Sequence, residues 1–179
     1  FGTLWIATFD GGLNRYHPES DSFTSYHHDP ADPHSLGNST LASLFVDHSG
    51  LLWIGTVGSG VSRLDPRQQG FVLYRHDPTD EDSLSNSNVR NVFEDRSGIL
   101  WIATNGGLNR YDPETGRYTH YLHDPNDPTS LSDDHVLAVA EDKTGTLWVG
   151  VDTHGLNRFD RDTETFTHFR PDPADPRPS

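Results

Sequence analysis

Glu94-Asp95-Arg96-Ser97-Gly98-Ile99-Leu100-Trp101-Ile102-Ala103-Thr104, followed by Asn105-Gly106-Gly107-Leu108-Asn109-Arg110-Tyr111-Asp112, decides the fold. Arg96-Ser97-Gly98 carries turn chemistry. Ile99 to Thr104 is apolar almost throughout, as suits a strand buried on both faces. Asn105-Gly106-Gly107 is a tight glycine turn, and Leu108 to Asp112 returns as a strand. Upstream, Val89 to Asp95 is a further β-rich run; downstream, Pro113 to Gly116 turns the chain into an alternating strand at Arg117 to Tyr121.

The phrase is written four times. Its tryptophans, Trp5, Trp53, Trp101 and Trp148, are the only ones in the chain and fall 48, 48 and 47 residues apart. A fixed period of that size marks a stacked or radial array whose units bury apolar faces against their neighbours. Four short antiparallel strands with apolar residues on both faces describe a β-propeller blade. First strands occur near Leu41–Asp47, Val89–Asp95 and Val136–Asp142, while the other three strands occur four times. The expectation is an all-β propeller fragment of about four four-stranded antiparallel blades. The first blade lacks its inner strand, so fifteen strands are expected. No helical periodicity appears. Residues 1–179 read as one partial propeller with units near 1–40, 41–88, 89–135 and 136–179.

Composition excludes several function classes. Net charge is −14 over 179 residues. Nucleic acid binding needs a basic footprint, and an anionic membrane surface would repel this chain. No run of 18 apolar residues offers a membrane span. Zero cysteines excludes disulfides and thiol chemistry. Mean hydropathy is −0.70, but the aromatic content and strict period argue for order. The chain opens in mid-phrase at Phe1-Gly2-Thr3-Leu4-Trp5 without Met, and reads as a piece of something longer.

Residues that look chemical have structural readings. His28, His76 and His123, each followed by Asp, lie one blade apart and cannot converge on one ion. The Asp-Pro-x-Asp-Pro loops (Asp29/Asp32, Asp77/Asp80, Asp124/Asp127, Asp172/Asp175) read as Asx-turns rather than calcium loops. Asp47, Asp95 and Asp142 open tight turns that resemble Asp-box hairpins beside the core Trp. The tryptophans fill the space between blades. Arg15, Arg63, Arg110 and Arg158 recur on third strands and are expected to pair with carboxylates between blades. No catalytic constellation stands out, and neither a cofactor nor a metal is implied.

Glu94 to Thr104, Gly106 to Pro113 and the linkers Tyr74-Arg75-His76-Asp77-Pro78 and Asp82-Ser83-Leu84-Ser85-Asn86 resemble the two-component regulator propeller repeat. The resemblance implies the extracytoplasmic (periplasmic) sensor region of bacterial histidine kinases, hybrid kinases or diguanylate cyclases. It also implies a larger seven-bladed propeller, whose remaining blades would be partners of this segment, and an output domain outside this chain. It implies a ligand-sensing module rather than an enzyme. Two alternatives stand beside it: a propeller enzyme similar to streptogramin lyase, and a structural propeller that binds another protein. The fourth unit departs at Phe169-Arg170-Pro171-Asp172-Pro173.

Positions that recur hold up the blade, whereas positions that differ are free to recognise something. The loops between second and third strands share a face with the inner ends of the crossing loops. There the candidates for binding a small polar ligand, a saccharide among them, or a protein partner are Phe9, Asp10, Asn38, Ser59, Asn86, Asn105, Asp133, Asp152, Thr153 and His154. The uncovered end blades and the strand edge of the first unit predict that the isolated segment self-associates.

Overall fold

The computed structural model describes residues 3–170, which form fifteen strands and no helix. The first sheet has three strands, β1 (Trp5–Ala7), β2 (Leu13–His17) and β3 (Ser22–Tyr26). The second has β4 (Leu41–Val46), β5 (Leu52–Thr56), β6 (Val61–Leu64) and β7 (Phe71–Tyr74). The third has β8 (Val89–Glu94), β9 (Leu100–Thr104), β10 (Gly107–Asp112) and β11 (Arg117–Tyr121). The fourth has β12 (Val136–Glu141), β13 (Leu147–Val151), β14 (Gly155–Asp160) and β15 (Thr165–Phe169). Each is an antiparallel meander in chain order, so these are propeller blades, and the first lacks an inner strand. The Asp172/Asp175 loop expected at the end lies outside the described residues.

Local chemistry explains the strands. Asp47 accepts the N–H groups of Ser49 and Leu51, each at 2.9 Å, and the Trp53 indole N–H at 2.8 Å. Asp95 and Asp142 repeat this, with indole contacts of 2.8 and 2.9 Å from Trp101 and Trp148. One carboxylate thus closes the turn and fixes the rotamer of the core ring. Gly12 and Gly60 lead into third strands at φ +67° and +77°; a Cβ there would lie 2.1 Å from the Tyr26 carbonyl and 2.0 Å from that of Tyr74. Only glycine fits both the conformation and the approach. Each inner strand also carries a register shift at the same place, beginning at Leu41, Val89 and Val136. Nothing in the sequence phrase announces that bulge.

The core consists of three seams, each between successive blades. Strand alternation makes one face of a blade present a Trp and a fourth-strand ring to the next blade. The other face presents a third-strand and a fourth-strand residue to the previous one. The second seam joins Trp53 and Tyr74 to Tyr111, with Tyr118 against Tyr111 at 4.7 Å. Desolvation, with help from Tyr74, pushes the Tyr111 hydroxyl up to about 12, so it remains protonated. The third seam joins Trp101 and Tyr121 to Phe159 and Phe166, with ring centroids 5.0–5.9 Å apart. The first joins Trp5 and Tyr26 to Phe71, with Leu64 where the others have Tyr111 and Phe159.

Burial of the four tryptophans is unequal. Trp53 and Trp101 are 1% and 0% exposed, whereas Trp5 and Trp148 are half-buried. Uniform burial was expected from their identical phrases. Trp148 faces away from the third blade, and no described sheet covers it; Trp5 faces the smaller Leu64.

The expected role of the recurring arginines is corrected. Register places Arg15 opposite Trp5 and Arg63 opposite Trp53 on the same sheet face. Their guanidinium carbons lie 5.7 and 5.8 Å from those indole centroids, and Arg158 lies 5.8 Å from the Phe169 ring. These are cation–π contacts within a blade. Among the described residues none of Arg15, Arg63, Arg110 and Arg158 forms an ion pair with a carboxylate. The pairs between blades come from other positions. His48 binds Glu94, Arg96 approaches Glu141 at 3.7 Å, and Arg161 reaches Asp95 at 2.8 Å, while its contact with Glu141 at 3.3 Å stays within the fourth blade.

Candidate functional site

The loops between second and third strands do meet the inner ends of the crossing loops. Antiparallel meanders put both at the same end of every blade. Backbone hydrogen bonds lock them together: the Gly12 N–H donates to Ser39 O at 3.0 Å, Gly60 to Ser87 O at 2.7 Å, and Gly107 to Asp134 O at 2.7 Å. Asp152 makes the same kind of bond, its N–H donating to His135 O at 3.0 Å.

Asn38, Asn86 and Asp133 occupy one repeated role. Each accepts, through Oδ1, the backbone N–H two residues on, from Thr40, Asn88 and His135 at 2.8–2.9 Å. This Asx-turn aims the chain into the inner strand. What the rest of the side chain does then differs. Asn38 Nδ2 donates to Val57 O at 2.9 Å and approaches Ser59 Oγ at 3.5 Å. Asn86 lies against Gly106, where a Cβ would come within 2.9 Å of it. Asn105 receives the Arg90 Nε–H at 2.8 Å. Asp10 accepts from Thr40 Oγ1 at 3.3 Å, while Phe9 is 71% exposed.

Only in the fourth blade do three of the sequence candidates converge. The Thr153 hydroxyl donates to Asp133 Oδ2, and His154 Nδ1 lies 3.0 Å from the same oxygen. His135, which sequence reasoning passed over, brings its Nδ1 to 3.4 Å from Oδ1. The Asp133 side chain is 15% exposed, against 43% and 58% for the imidazoles of His154 and His135. Burial alone would raise the Asp133 carboxyl. Hydrogen bonds from Thr153, the His135 backbone, His154 and the His135 ring outweigh it and hold the group well below the usual carboxylate range. The result is a fixed anion flanked by two accessible imidazoles. The signal for His135 was present in sequence: Asp133-Asp134-His135 stands where the earlier units read Asn38-Ser39-Thr40 and Asn86-Ser87-Asn88.

The histidines of the crossing loops serve structure. The Nδ1 atoms of His28, His76 and His123 donate to Leu36 O, Leu84 O and Leu131 O at 2.6–2.8 Å. The described Asp-Pro carboxylates accept N–H groups two residues on, as at Asp29, Asp32, Asp77, Asp80, Asp124 and Asp127. Among the described residues no group of three or more His, Cys, Asp or Glu side chains is arranged to hold a metal.

Residues 83–106 and 130–153 match the two-component regulator propeller model. The chain therefore carries two-component regulator propeller repeats. No curated protein matches it. Among solved structures, the extracellular domain of a hybrid two-component system from Bacteroides thetaiotaomicron is 28% identical with a TM-score of 0.77; the match covers 92% of this chain and 21% of that one. The extracellular domain of a one-component system from the same organism is 25% identical with a TM-score of 0.57, covering 91% of this chain and 28% of that one. Virginiamycin B lyase from Staphylococcus aureus, at 12% identity and a TM-score of 0.64, covers 97% of this chain and 60% of that one, and shares the fold alone. No helix among the described residues is long and apolar enough to cross a membrane.

Proposed function

We propose that this chain is part of the extracytoplasmic propeller of a bacterial signalling receptor, recognising a small polar ligand or a partner's loop and relaying to an output domain outside the chain. The observation that carries the reading is the Asp133–Thr153–His154 cluster with His135 beside it. Its equivalents Asn38 and Asn86 are absorbed by the scaffold, whereas Asp133 holds a charged acceptor and two imidazoles at the loop face. A rigid scaffold that presents one differing loop set is a recognition device. The family repeats and the likeness to extracellular receptor domains support the same reading. We place recognition, not catalysis, at this face, and saccharides are the first ligand class to test.

The test is a saccharide panel titrated against the chain while backbone amide shifts are followed. Perturbations should gather at residues 9–10, 133–135 and 152–154. Asp133→Asn and His154→Ala should each weaken binding by roughly tenfold, about 1.4 kcal/mol. Glu114→Ala, in the hairpin at the opposite end of the blade, should leave it unchanged. Equal losses at both ends, with the fold intact, would place the site elsewhere.

A further inference from the structure

The first seam has the same second-, third- and fourth-strand positions as the other two, without an inner strand on its first blade, and does not close. Leu64 replaces the ring found at Tyr111 and Phe159, and Pro66 stands where the fourth blade has Arg161. In the third seam Phe159 lies 5.2 Å from Trp101 and the Arg161 guanidinium covers that indole at 5.9 Å. In the first seam neither group is there, and a cavity of about 420 Å³ opens between the blades. Trp5, Tyr26, Leu64 and Phe71 line it, together with Arg15, Asp29, Asp32, Gln68 and Gln69. That volume falls in the range of roughly 300–1,000 Å³ typical of small-molecule sites.

We propose that this seam is a binding pocket for a small uncharged ring with one apolar face and a hydrogen-bonding edge. Trp5 is half-buried and offers an aromatic platform, with Tyr26 5.9 Å away. Arg15 lines the same cavity, and its guanidinium brings hydrogen-bond donors for an oxygen or ring nitrogen on the ligand edge. The lining mixes charges, Arg15 with Asp29 and Asp32, and His27 and His34 beside them, so it does not single out an ion of either sign. A ring without charge uses these groups as donors and acceptors. Two kinds of molecule have this chemistry: a pyranose, through its C–H face, and a heteroaromatic base, through its π-face. The site is separate from the loop face of the fourth blade and does not depend on it.

The experiment follows the Trp5 indole N–H resonance of the 179-residue chain. Glucose and N-acetylglucosamine are titrated in one arm, adenine and caffeine in the other. The expected result is a saturable shift of the Trp5 indole in one arm, which names the source, while the Trp101 indole stays fixed. Leu64→Phe restores the side chain that the third seam tolerates at Phe159. It should keep the fold and weaken binding by roughly tenfold or more. Glu114→Ala, in the hairpin of the third blade and outside the cavity lining, should leave this binding unchanged. Silence of Trp5 in both arms at millimolar probe overturns the proposal, as does Leu64→Phe binding as tightly as the parent.

Discussion

The third seam and the first differ in how completely two equivalent sheet faces shut. Around Trp101, three further rings, Asp95 and Arg161 leave the indole 0% exposed. Around Trp5, two further rings and a leucine leave it half-buried beside a cavity. Strand register is the same in both: Trp5 pairs with Arg15 as Trp101 pairs with Arg110. The seams differ on both sides: the first blade lacks the inner strand after which Asp95 holds Trp101, and its receiving blade brings Leu64 and Pro66 where the third seam has Phe159 and Arg161.

The largest test of this contrast is truncation of the indole itself. Trp101→Ala should cost about 3–5 kcal/mol, the range for large aromatics in a closed core. Trp5→Ala should cost less than half as much, because less area is buried there. Denaturant melts of the two variants read this directly, and equal losses would break the comparison.

Asp95 is next in size. It accepts from Ser97, Ile99, Trp101 and Arg161, and its side chain is fully buried. Burial alone would raise its carboxyl; hydrogen bonds from Ser97, Trp101 and Arg161 prevail and lower it. A lowered folded value means that ionised Asp95 stabilises the protein above the ordinary carboxylate range near pH ~3.9, and that this stability is lost as pH falls through the folded value. Asp95→Asn should cost about 1.5–3 kcal/mol at neutral pH. It should also lose less on acidification than the parent does. Thermal melts from pH 7 to about pH 3 check the sign; parallel losses in parent and variant would remove Asp95 from the account.

The smallest effect sharpens the comparison most. Leu64→Phe should stabilise the first seam by roughly 0.5–1.5 kcal/mol through a new aromatic contact. Phe159→Leu should move the third seam the other way. A destabilised Leu64→Phe would mean that the space around Trp5 is not shaped for a ring.

The shared phrase made much of the fold legible. Alternation and glycine turns located the strands, and Asp47, Asp95 and Asp142 were readable as turn closers because their partners lie within a few residues. The arginine reading failed because a cross-strand neighbour is set by register, which a list of recurring residues does not contain. Loop differences between repeats pointed to Asp133, Thr153 and His154. His135 escaped notice because its neighbour Asp133, not its own position, gives it meaning.

By itself the sequence determined the repeat, the blade, the strand order and the missing inner strand. These follow from local pattern and from the period, which act over a few residues at a time. Only the tertiary structure decided which Trp is core and which lines a cavity. That depends on the residues 59 and 58 positions further along, Leu64 for Trp5 and Phe159 for Trp101, which packing alone brings to the indole.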